Sequence, residues 1–330
     1  MSRRKRRNKS TRGNKRIDWV KKDMLLPYME LSVDDIFEAF ENMRNPAVKV
    51  QWHDNETRHI FIDNGANVLL VAHLDTVKRP RLDTISKKKM TGAGFDDRLG
   101  AYLAIQFTQY RNVDILLTDH EEVGASTAQF FNIPERYNWI AEFDRAGEDV
   151  VTYGLDSTEW LLTLEDTFKI GMGAFSDVCF LETDACCVNV GIGYHKAHSE
   201  DSEDSYVMLD ELYRQMNRFL AFYDAQCDTP YEMDYMEYES HGYDNGYECG
   251  YDNGYDNGYG GLYNHYGYPT QGYPTQGYDI HGYDKYGYDK HGYDRLGYDS
   301  SGQDRYKYND LEDPKEDLYQ EWIDYCNKNQ

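Results

Sequence analysis

The chain has 330 residues, with 35 Lys and Arg against 59 Asp and Glu and a net charge of -24. That length suits one large domain or two small ones, and the acidity excludes nucleic-acid binding through a general positive field. The average conceals segments of opposite character: residues 1–22 carry eleven basic residues and only Asp18, whereas 22 of the 31 Tyr and 15 of the 27 Gly lie after residue 227. No stretch approaches the roughly 20 apolar residues of a membrane helix, and no apolar run follows the charged N-terminus as in a secretory signal. The six cysteines show neither C-x-x-C spacing nor a disulfide framework, so reduced thiols in a soluble, cytoplasmic protein are expected.

Residues 1–22 are expected to be a disordered basic arm, the only part suited to weak contact with a nucleic acid. From Ile17 onward apolar residues appear, and Val33, Ile36, Phe37, Phe40 and Met43 recur at helical spacing behind Ser32, a capping residue with Asp35 in the first turn. Residues 47–63 are two β-rich runs about a D-N-E-T turn, and NVLLVAHLD is a continuous apolar run that predicts a buried central strand. The pattern then alternates: a helix over 98–110, strand VDILLTD, a helix over 125–131, strands WIAEFD and DVVTYG, a helix over 157–166, strand CVNVGIG and a helix over 208–223. Such alternation predicts an α/β fold, a mixed, largely parallel sheet sandwiched by helices, over residues 23–226.

In open α/β sheets, ligands bind outside the carboxyl ends of the strands. Five separate segments bring polar residues there: His73 and Asp75 after LLVA, Asp96 and Asp97 in TGAGFDDRLG, Glu121 and Glu122 in LLTDHEEVG, Asp144 in IAEFD, and His195 and His198 in VGIGYHKAHS. Carboxylates gathered so closely repel one another unless cations compensate. Nitrogen and oxygen donors without thiolate suit two zinc ions, with cobalt or manganese as substitutes. Such a pair, about 3.5–4 Å apart, needs a bridging carboxylate and activates a hydroxide for attack on a carbonyl. A carboxylate that is not a ligand then carries the proton from water to the leaving amine.

H-x-D after a strand, G-x-G-x-D-D-R-x-G, E-E-x-G, a strand-ending Asp, S-D-x-x-F and a late H-S, in that order, resemble the co-catalytic zinc aminopeptidase and carboxypeptidase clan over residues 66–200. The resemblance implies a zinc-exopeptidase-like catalytic domain in which His73 and Asp144 bind the first zinc and Asp96 bridges. Glu122 and His198 would then bind the second, Asp75 would orient His73, and Glu121 would be the general base. His195 is left as a substrate-pocket candidate, and Ser176 and Asp177 are assigned no chemistry. Gly92, Gly94 and Gly100 fit turn and close-packing roles, and Arg98 fits a structural ion pair. The implied substrate is a peptide or acyl-amino acid. Asp rather than Glu at position 144 resembles the aminopeptidase and dipeptidase branches.

Two departures bear on the substrate. The intervals from His73 to Asp96 and from Asp144 to His198 are 23 and 54 residues, too short for the second domain that many members insert. After His198 the chain repeats SEDS, an insertion beside an implied ligand. Residues 227–310 form a Tyr/Gly/Asp-rich stretch whose composition predicts disorder and whose spaced Tyr suit weak self-association. Over 311–330, Leu318, Trp322 and Tyr325 share one face of a short helix, suited to dock on a partner or on the catalytic domain. The competing reading is an inactive peptidase fold that serves as a scaffold for these tails.

Overall fold

In the computed structural model, residues 17–53, 57–173, 175–196, 205–234 and Trp322 are described. His198, residues 199–204 of the SEDS repeat and, apart from Trp322, the C-terminal stretch from 235 onward lie outside them. Two short helices come first, α1 (Lys22–Glu30) and α2 (Val33–Glu41). The Ser32 side chain accepts from Asp35 N while the Asp35 carboxylate accepts from Ser32 N, so each side chain satisfies a donor that the helix start would otherwise leave open.

The main sheet contains β1 (Val48–Trp52), β2 (Arg58–Ile62), β3 (Val68–His73), β6 (Asp114–Thr118), β7 (Trp139–Arg145), β8 (Asp149–Val151), β9 (Lys169–Ile170) and β10 (Cys187–Gly191). Their spatial order is β1-β2-β6-β3-β7-β10-β8-β9. Strand β3 is central and wholly buried, and it runs parallel to both β6 and β7; β7 is in turn parallel to β10. The carboxyl ends of four neighbouring strands therefore open on one edge.

Alternation along these strands separates two cores. Leu70, Ala72, Leu117, Ala141 and Phe143 face the larger one, shared with α1, α2, α3 (Phe95–Phe107), α4 (Thr158–Glu165) and α5 (Leu209–Gln226). Leu69, Val71, Leu116 and Ile140 face a smaller one, completed by residues of two 3-10 turns and their flanking loops. One of these turns, Thr127–Phe130, replaces the helix expected over 125–131. Ser126 caps that single turn by accepting from Ala128 N, and Pro134 disfavours helical backbone at the residue before it.

Three features differ from the sequence expectation. The folded part begins before residue 23: Trp19 is buried and stacks on Phe107, and Lys21 N donates to the Tyr102 hydroxyl. Residues 17–22 of the expected disordered arm are therefore corrected to folded chain, and residues 1–16 lie outside the described residues. The polar segment 81–93 forms β4 (Arg81–Ile85) and β5 (Lys89–Ala93), which join β11 (Tyr194–His195) and β12 (Ser205–Met208) in a second sheet of order β11-β12-β5-β4. Helix α5 continues to Gln226, and beyond it Tyr231 N donates to Asn138 O. Among the described residues, no helix is long and apolar enough to cross a membrane.

Helix α3 follows β5 through Gly94, whose φ of 71° is the left-handed conformation that glycine adopts without strain. It then lies against β7 so closely that a Cβ on Gly100 would stand 1.7 Å from Phe143 O. Gly100→Ala must push the helix off the strand, which overpacks the core at a cost of about 1–3 kcal/mol or more. The expected result is a midpoint several degrees lower in thermal unfolding; an unchanged midpoint would show that the contact is not maintained in solution.

Candidate metal centre

The carboxyl ends of β3, β6 and β7 and the N-terminus of α3 converge on one crevice. His73 closes β3 with its ring buried. Its Nε2 lies 3.0 Å from Asp144 Oδ1, and its Nδ1 lies 3.5 Å from Asp75 Oδ1. Asp75 also accepts from the backbone N–H groups of Glu121 at 3.1 Å and Glu122 at 2.9 Å. One carboxylate thus orients the imidazole and anchors the loop that carries both glutamates. That loop leaves β6 through His120, held at φ 63°, a conformation that non-glycine residues rarely take.

From the other side, Asp96 and Asp97 occupy the first turn of α3, both buried. Single donor atoms of His73, Glu121 and Glu122 lie within 4.8 Å of one another, and so do those of Asp96, Asp97 and Glu122. Glu122 is common to both groups. Asp97 Oδ1 is buried without a hydrogen-bond partner.

The electrostatics follow from this crowding. Burial pushes the Glu121 carboxyl up to about 8, with Asp144 and Asp177 adding to the effect against the opposing pull of His73. Burial, and next the charge of Asp96, hold Asp97 well above the usual carboxylate range. Burial opposes charge on His73, yet the Asp144 carboxylate lifts it well above an ordinary histidine. Burial likewise works against an ionised Asp75, and there the bonds to His73 and to two backbone N–H groups outweigh it and lower the pKa. A crevice with one imidazole among six carboxylates binds positive charge, as protons or as cations. The donor set of imidazole and carboxylates, with Asp97 Oδ1 unpaired, fits divalent zinc.

A polar layer beneath the crevice was not singled out from the sequence. Glu142, fully buried on β7, accepts from the Ser176 hydroxyl and from Asp177 N and Val178 N, the latter two at 3.3 Å. Asn189 on β10 accepts from Asp144 N at 3.2 Å and donates to Ser176 Oγ at 2.8 Å and to the Tyr153 hydroxyl at 3.1 Å. The Tyr194 hydroxyl donates to Asp144 O at 2.8 Å. Ser176 and Asp177 therefore brace the floor on which Asp144 stands. The available signal was an acid at position 142 inside an otherwise apolar strand, on the same face as Asp144.

Other expected residues lie apart. His195 Nε2 is 2.7 Å from Glu211 on α5, and its ring stacks on Tyr206. His198 falls outside the described residues. Arg98 is buried and donates to Tyr28 O and Leu31 O, the carbonyl end of α1, in place of the expected ion pair. His59, which burial lowers to about 4, bonds His53 at 2.8 Å, a structural pair.

No family model matches the sequence, and no curated protein matches it significantly. Among solved structures, the chain is similar in fold to aminopeptidase PepT from Bacillus cereus, at 10% identity over 61% of this chain and 95% of that one, TM-score 0.39. It is also similar to aminopeptidase APDkam598 from the archaeon Desulfurococcus kamchatkensis, at 14% identity over 63% and 95%, TM-score 0.46. A Zn-dependent exopeptidase from Parabacteroides distasonis matches at 15% identity over 61% and 94%, TM-score 0.37. The likeness is to the fold of zinc-dependent exopeptidases and aminopeptidases. Residue roles do not pass across such low identities and rest on the side chains described above.

Crowded carboxylates make opposite predictions for the metal-free and the loaded protein. Zinc at about 100 times its dissociation constant should stabilise the fold by about 2.7 kcal/mol, a rise of about 5–10 °C in thermal unfolding. Glu122→Gln, which alters both groups at once, should abolish most of that rise. Asp97→Asn should leave the chelator-treated protein as stable as the parent or more so, because it removes a buried carboxyl whose ionisation burial and Asp96 oppose. A midpoint indifferent to zinc and to chelator would show that the crevice holds protons only.

Proposed function

We propose that the chain is a two-zinc exopeptidase that hydrolyses a peptide or N-acyl amide bond, as an aminopeptidase or dipeptidase recognising a free N-terminal amine. The observation that carries this reading is the convergence of His73, Glu121 and Glu122 and of Asp96, Asp97 and Glu122 into two donor groups that share Glu122, with Asp144 on His73 Nε2. His73 and Asp144 would hold one ion, since the two atoms that share a proton across 3.0 Å are the two that a cation takes in its place. Glu122 and Asp96 would serve the other, together with His198, and either acid can span the two positions. Cobalt or manganese would fit the same donors. When bound, the ions polarise the scissile carbonyl and lower the pKa of water.

The remaining work falls to the chain's own groups. Glu121 is fixed through its backbone by Asp75 and is buried enough to raise its carboxyl to about 8. That rise belongs to the metal-free crevice; bound cations would favour the ionised form, and the Glu121 carboxylate would then accept a proton from the attacking water and return it to the departing amine. Asp75 holds the His73 ring in one orientation, which a ligand imidazole requires.

The test is turnover of aminoacyl p-nitroanilides, with the same substrates N-acetylated as comparison, alongside elemental analysis for zinc. Glu121→Gln should lower kcat by about 10²–10⁴ while bound zinc is retained. Preference for the blocked substrates would move the activity to a deacylase or carboxypeptidase. A zinc-free protein without turnover on either set would overturn the proposal. Deletion of residues 242–310 should leave turnover of these small substrates intact.

A further inference from the structure

Trp322 is buried, 3% exposed, between the first two helices. Its ring meets Tyr28 of α1 edge-on at 5.2 Å between centroids and 77°, and Phe40 of α2 edge-on at 5.6 Å and 84°. Two edge-to-face contacts on one indole form a shaped cleft for an aromatic ring. Eighty-seven residues separate Trp322 from Asp234, where the continuously described chain ends.

We propose that the cleft between Tyr28 and Phe40 is a docking site for this chain's own C-terminal segment, anchored by Trp322, so that the Tyr/Gly-rich stretch is a loop fastened at both ends. The occupant is in cis for a reason of concentration. A Gly-rich linker of 87 residues would, as a random coil, have an end-to-end distance on the order of 50 Å, which would present the anchor at an effective concentration approaching millimolar. At micromolar protein, a second copy competes at a disadvantage of about a hundredfold or more. The segment also suits a cleft: Leu318, Trp322 and Tyr325 recur at the spacing of one helical face.

The dock bears on the metal edge through α1. Tyr28 meets the indole on one side and the ring of Tyr102 on α3 on the other, and its carbonyl accepts from Arg98, the residue after Asp97. Undocking should loosen α1 while leaving the central sheet as it was. The site does not depend on the peptidase reading, because the cleft lies on the helical layer and includes none of the candidate ligands.

The experiment is amide hydrogen exchange on the full chain and on Trp322→Ala. The substitution should speed exchange in residues 22–41 by tenfold or more, with β3 and β7 unchanged. A synthetic peptide of residues 311–330, added at millimolar concentration, should restore protection, and the same peptide with Trp322→Ala should not. In a second form of the full chain, a specific protease site placed between residues 302 and 311 removes any concern about folding. After cleavage, the C-terminal fragment should remain bound at high concentration and dissociate on dilution. Unchanged exchange in Trp322→Ala, or a cut fragment that never co-migrates with the body, would overturn the dock. Protection of uncut chain that fades on dilution, together with a dimer in sedimentation, would assign the cleft to a second copy and overturn the cis occupant.

Discussion

The constraint on which the architecture turns is the placement of several carboxylates in one largely buried crevice. Burying one ionised carboxylate without donors costs several kcal/mol, and placing a second beside it costs more. The chain meets this constraint unevenly. Asp75 receives an imidazole and two backbone N–H groups, and Glu142 receives a hydroxyl and two backbone N–H groups. Asp97 Oδ1 receives nothing. Acids already matched by protein donors are structural supports, and the crevice acids left with positive charge still to bind are those facing the space where a cation fits. The division between scaffold and site follows from which carboxylates the backbone satisfies.

The sheet supplies that edge, and the helices fix its depth. Because β3 lies between two parallel neighbours, His73, the loop after Thr118 and Asp144 end at one level. Helix α3 must bring Asp96 and Asp97 to the same level, and its axial position is set by a backbone contact: Gly100 lies against Phe143 O, one residue before Asp144. Arg98 then ties the start of α3 to the carbonyl end of α1. The acids of α3 and the acid of β7 are therefore held at fixed distance by the main-chain contact at Gly100, with the Arg98 side chain fixing the start of α3.

Much of this was legible in the sequence where local pattern and burial agree. The apolar run before His73, the strand that ends in Asp144 and the capping signal at Ser32 each produce the expected element, because hydrophobic period and terminating residues point the same way. The illegible parts are those set by distant partners. Strand β4 is exposed and polar and owes its pairing to β5, while β12 joins the same sheet from more than a hundred residues further on. Helix α1 contains Pro27, which hides it from propensity, and it is held by Arg98 and by packing on α3. His195 carries the same imidazole as His73, and only the fold shows that its partner is Glu211, sixteen residues along. The motif order located the crevice; the floor of Glu142, Ser176 and Asn189 required the register of β7 and β10.

Adjacent glutamates at 121 and 122 raise a last question, how neighbouring side chains of one kind can serve different ends. Both backbone N–H groups point at the same Asp75 carboxylate, one to each oxygen, which fixes the turn rigidly at two successive residues. From that common anchor the side chains meet different surroundings. Asp97 and Asp96 lie beside Glu122, whereas the charges acting on Glu121 are foremost those of His73, Asp144 and Asp177. Glu122 lies beside Asp97, whose Oδ1 is unpaired, so a cation there would relieve both carboxylates. Glu121 faces an imidazole already engaged with Asp144, so a proton is the lighter load for it to exchange. The two glutamates thus differ in surroundings without differing in residue type, because Asp75 holds both of their backbone units.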